Sequence, residues 1–82
     1  MRGDRTVVEV ITAKRTEASG VYSALARFTL EDSSSYVHEL TIQRGGLWRD
    51  MQTGRSVLGM YGIHAETAVQ MQVSRSLMEG LI

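Results

Sequence analysis

Two segments of strict alternation flank a short polar turn, and they constrain the fold more than any other feature. Tyr22, Ala24, Ala26, Phe28 and Leu30 share one side of the first segment. Tyr36, His38, Leu40 and Ile42 share one side of the second. A period of two marks a half-buried strand. If Glu31–Ser35 is the turn, Leu30 faces Tyr36, Ala26 faces Leu40 and Ala24 faces Ile42, small residues against large ones. The same register sets Arg27 opposite Glu39 on the other face, a favourable cross-strand charge pair.

The rest of the chain extends this hairpin. Residues 6–13 read as a first strand, with Val8, Val10 and Thr12 on one face and Val7, Glu9 and Ile11 on the other. The polar stretch 14–20, ending in Gly, suits a loop. Val8 opposite Ala26 and Val10 opposite Ala24 complete a three-stranded antiparallel meander over about 6–13, 21–30 and 36–43. Its outer face mixes Val7, Ile11, Val21, Leu25 and Val37 with Glu9, Arg27, Glu39 and Thr41, less polar than a plain solvent face. Either a helix covers part of it or another molecule does.

After Gly45-Gly46 the pattern changes. Leu47, Met51 and Leu58 fall at helical spacing, which predicts a short helix near 47–52 followed by irregular chain. Gly54 and Gly59 oppose a longer helix, at roughly 1 kcal/mol each, and a hairpin turning at Thr53-Gly54 competes. Over 65–80, Val69, Val73 and Leu77 form an i+4 row that continues to Leu81, opposite Gln72, Ser76, Arg75 and Glu79. That predicts a C-terminal helix. The alternative reads 67–77 as a strand from the alternation Val69-Gln70-Met71-Gln72-Val73, giving a small all-β, barrel-like domain. Met51, Met60, Met71 and Met78 read as gap-fillers of a small core, and the alternative exposes Met71, Met78, Leu81 and Ile82 as an apolar stripe for a partner.

Size and composition bound the function. A chain of 82 residues is one small domain, which buries only about 60% of its unfolded surface. It has no Cys, so disulfides and thiolate metal sites cannot add stability, and oligomerisation or docking on a partner is the remaining common route. The formal net charge is zero, which counts against broad electrostatic binding to nucleic acid or anionic membranes. No apolar run approaches the ~18 residues of a membrane span and no secretory h-region precedes the first strand. The expected location is the cytoplasm, with no membrane contact.

No motif carries chemistry. His38 and His64 lack metal-ligand spacing, so His38 reads as a buried, hydrogen-bonded residue and His64 as a capping or surface one. There is no Gly-x-Ser-x-Gly elbow, and 52–56 lacks the glycine spacing and Lys of a phosphate loop. Arg2-Gly3-Asp4 is read as a chance tripeptide. The segment Arg44-Gly45-Gly46-Leu47-Trp48-Arg49 stands out, since it brackets the only Trp with two Arg, residue types enriched at interface hot spots. The competing reading packs Trp48 under the sheet.

The chain is therefore expected to be an α+β domain: the meander, the short helix and a C-terminal helix. Its expected role is that of a non-enzymatic protein-binding domain, an adaptor, regulator or inhibitor of the phage or mobile-element type. The partner-binding residues expected are Trp48, Arg49, Arg44, Arg55 and Tyr61, with no cofactor or metal. The alternative is a nucleic-acid-binding protein, with Arg44, Arg49 and Arg55 on phosphates and Trp48 or Tyr61 stacking on bases. A homodimer is compatible with either.

Overall fold

Both alternating segments are strands, and they form the middle of an open four-stranded antiparallel meander with a C-terminal helix packed on one face. The computed structural model describes residues 6–17, 20–43 and 46–80. The elements are β1 (Val7–Arg15), β2 (Tyr22–Thr29), β3 (Ser35–Ile42), β4 (Arg49–Asp50), α1 (Val57–Tyr61) and α2 (Ile63–Gly80). The sheet order follows the chain, β1-β2-β3-β4. It does not close, and 67–77 is helical, so the barrel alternative falls.

On β2 and β3 the expected faces hold, but the expected registers do not. Between β2 and β3 the pairs are Ala24 with Leu40, Ala26 with His38 and Phe28 with Tyr36. The connection is Leu30–Ser34 instead of Glu31–Ser35, and moving a loop back by one residue displaces every pair by two places. A two-place slip leaves each side chain on its own face, so hydrophobic pattern alone cannot exclude it. Local turn chemistry decides. Asp32 accepts the Ser34 amide and hydroxyl at 3.0 and 2.6 Å, Ser33 takes φ 74°, and the Leu30 N–H donates to the Ser34 carbonyl.

The β1–β2 register also differs, with Val8 opposite Phe28 and Val10 opposite Ala26. A bulge at Ile11 follows, where the register shifts between Val10 and Thr12. It places Ala13 toward the core and leaves Thr12 exposed. Arg27 consequently meets Glu9 at 2.8 Å, while Val37 stands opposite it on β3.

Residues 47–52 are not a helix. They enter β4, which pairs Thr41 with Arg49 and Leu40 with Asp50. Trp48 and Asp50 point inward and Leu47, Arg49 and Met51 outward. That is a period of two, disguised because one inward residue is an Asp. The turn closes where the competing hairpin reading put it: the Gly54 N–H donates to the Asp50 carbonyl and the Asp50 N–H to the Arg55 carbonyl. Helix α1 starts instead at Val57, capped by the Ser56 hydroxyl accepting from the Gly59 N–H at 3.0 Å. Gly62 separates α1 from α2 at φ 100°, ψ 175°, a region essentially restricted to glycine.

Helix α2 lays Ala65, Val69 and Val73 on the sheet, with Leu77 partly covered. They meet Val8, Ala24, Ala26, Phe28 and Leu40, and Trp48 and Val57 close the core beside them. Each large side chain fully buried here contributes about 1.5–3 kcal/mol. Met51, Met71 and Met78 are exposed rather than core-filling. Gln72, expected on the polar side of α2, reaches the sheet: its Nε2 donates to the Val8 carbonyl at 2.7 Å, and its Oε1 accepts the Val10 N–H at 2.8 Å. One amide thus occupies two backbone groups on the free edge of β1.

Candidate functional site

Of the five residues expected to form a partner surface, the four that are described do not share one surface. Trp48 is 1% exposed. Its indole N–H donates to Gln70 Oε1 at 3.0 Å and its backbone N–H to Glu66 Oε2 at 3.2 Å. These bonds seat it against α2, as the packing reading anticipates. Tyr61 is half-buried, its ring stacked on Phe28 with centroids 4.5 Å apart and planes within 9°. Arg49 and Arg55 are exposed, flanking the turn after β4, and Arg49 donates to the Gly54 carbonyl at 3.0 Å. Arg44 lies outside the described residues, as do Gly45, the Arg2-Gly3-Asp4 tripeptide and Leu81-Ile82.

Instead, the structure assembles a polar chain on the helix-facing side of the sheet. His38 Nδ1 is 3.1 Å from Asp50 Oδ1, and His38 Nε2 is 2.7 Å from the Tyr61 hydroxyl. A carboxylate only accepts, so in the neutral ring Nδ1–H donates to Asp50 and Nε2 accepts from the Tyr61 O–H. Asp50 Oδ2 accepts the Thr53 N–H at 2.8 Å and the Thr53 hydroxyl at 2.9 Å. His38 was legible as a buried, bonded residue, whereas its partners were not. The one local signal was the Asp50–Thr53 spacing, which suits an Asp side chain that closes its own turn.

Carboxylate, imidazole and hydroxyl in series is also the order of a nucleophilic relay. The electrostatics set the two ends of the series in opposite states, an ionised carboxylate and a protonated hydroxyl. Burial pushes the Asp50 carboxyl up, but the Thr53 and His38 hydrogen bonds outweigh it and hold the group below the ordinary Asp value. Burial pushes the Tyr61 hydroxyl up, and the neighbouring Tyr36 and Asp50 add to the rise. Tyr61 therefore keeps its proton, and the chain fastens β3, β4 and α1 together. Among the described residues no group of three or more His, Asp or Glu could hold a metal ion.

The opposite face of the sheet is different in kind. Among the described residues no helix packs on it. Its rows run Val7, Thr29, Ser35; Glu9, Arg27, Val37; Thr12, Leu25, Glu39; and Lys14, Ser23, Thr41, Arg49. Val37 is 53% exposed and Val7 64%. Met51 borders this face from the turn, its N–H donating to the Glu39 carbonyl. All five aromatic side chains belong to the other side or the core. No helix of the described residues is long and apolar enough to cross a membrane.

The chain matches no protein-family model, no curated protein and no solved structure.

Proposed function

We propose that this chain is a non-enzymatic protein-binding domain that acts as an adaptor, regulator or inhibitor by laying its open sheet face on a larger protein. The observation that carries this reading is the division of the sheet. One face is closed by α2 and Trp48, while the other exposes Val37, Val7 and half-covered Leu25 among charged and polar residues, with no element of the described residues over it. Aliphatic patches rimmed by polar residues suit protein contact. The chemistry-bearing groups of the inner face are committed to one another, which supports a scaffold reading for the Asp50–His38–Tyr61 chain. Arg49 keeps its expected role at the edge of the open face, and Arg55 stands exposed in the turn that follows. Trp48 and Tyr61 act instead as its supports.

The test is capture from host lysate with and without nuclease, comparing the natural chain with Val37→Arg. Val37 is exposed, so the variant should fold with an unchanged Tm. A protein that survives nuclease on the natural chain and is lost at least tenfold on Val37→Arg supports the reading. Equal capture by both chains contradicts it.

A further inference from the structure

Resting on that reading, we infer that the segment the open face receives is an extended acidic one with an aliphatic anchor. The outer face is sorted by charge along the strands. Glu9 is neutralised by Arg27 at 2.8 Å. Toward the other end of the sheet, Lys14, Ser23, Thr41 and Arg49 stand in register across all four strands. Adjacent strands lie about 4.8 Å apart, so this row is roughly 14 Å wide. Arg55 is a further exposed cation in the turn after β4, and neither it nor Lys14 has an ion-pair partner among the described residues.

Next to the row is a depression of about 270 Å³ bordered by Thr12, Lys14, Ser23, Leu25, Glu39 and Met51. Leu25 and Met51 give it an apolar lining, with Met51 56% exposed. An aliphatic side chain seated between them places flanking carboxylates within reach of Lys14 on one side and Arg49 on the other. Ser23 lies between the two cations as a hydroxyl donor. The face favours a protein segment over nucleic acid. It carries no aromatic ring on which a base could stack.

The experiment is an NMR titration of the full chain with a short peptide in which aspartates flank a single leucine. Three comparison probes are the peptide with every aspartate replaced by asparagine, the peptide with its leucine replaced by serine, and an oligothymidine. The expected result is saturable shifts centred on Lys14, Ser23, Leu25, Thr41 and Arg49. Both altered peptides should bind about tenfold or more weakly, as should the Lys14→Gln/Arg49→Gln double variant. Equal binding of the asparagine peptide, shifts centred elsewhere, no saturable shift, or the same residues responding to oligothymidine and not to the peptide would each overturn the inference. Failure here with Val37-dependent capture intact removes only the acidic partner, whereas capture indifferent to Val37→Arg removes the face itself.

Discussion

At the scale of single residues, Asp50 shows how a buried charge can be structural. It is 5% exposed, yet accepts from His38, the Thr53 amide and the Thr53 hydroxyl. Those bonds lower its pKa despite burial. A carboxyl lowered on folding contributes stability that is fully present above its unfolded value of about 3.9 and is lost as pH falls through the folded value. Asp50→Asn should therefore cost about 1–3 kcal/mol near pH 7 through poorly replaced acceptors, a fall in Tm of roughly 4–8 °C per kcal/mol for a domain of this size. The gap between the two proteins should close as pH drops below about 4. Thermal unfolding across pH checks this, and a gap independent of pH would contradict it. Glu66 makes the complementary point. It is buried with Oε2 on the Trp48 amide, while Oε1 has no hydrogen-bond partner among the described residues.

At the scale of elements, the free edge of β1 is managed by a side chain rather than by another strand. An exposed edge invites pairing with other chains, and Gln72 closes part of it by donating to Val8 and accepting from Val10. Gln72→Leu keeps much of the apolar stem but leaves both backbone groups unmatched. We expect a loss of about 1–3 kcal/mol and faster hydrogen exchange at the Val10 amide than at Ala24 or Ala26, measured by NMR. Unchanged protection at Val10 would show that the amide does not hold that edge. The same elements show how far residue order can be read. Strand identity and face were legible because period two is a local signal. Register was not, since a two-place slip preserves both faces and the choice fell to Asp32 and Ser33. The Ile11 bulge and the inward turn of Asp50 were hidden for a related reason: each breaks or masks the apolar period that marks a strand. The i+4 row of α2 was legible, but Gln72's reach to β1 depends on tertiary placement.

At the scale of the molecule, the two sheet faces divide the work. The inner face gathers the aromatic rings, the Asp50–His38–Tyr61 chain and the apolar side of α2 into one small core. The outer face keeps its aliphatic residues and cations available. A domain of 82 residues has little stability to spare, and a partner that binds only the folded chain would add to it by mass action. The candidate surface was only partly legible because sequence neighbours diverge in space: Trp48 enters the core while Arg49, one residue on, faces outward. Period two in a two-residue strand explains that split.

The most direct test of the outer face as the docking surface is site-specific photo-crosslinking with full-length chains in host lysate. A benzophenone side chain replaces Val37 on the sheet face in one variant and Met71, exposed on α2, in the other. The expected result is a discrete protein adduct from position 37 and none from position 71, with both variants melting as the natural chain does. An adduct formed from position 71 alone would move the docking surface to the helix and contradict it.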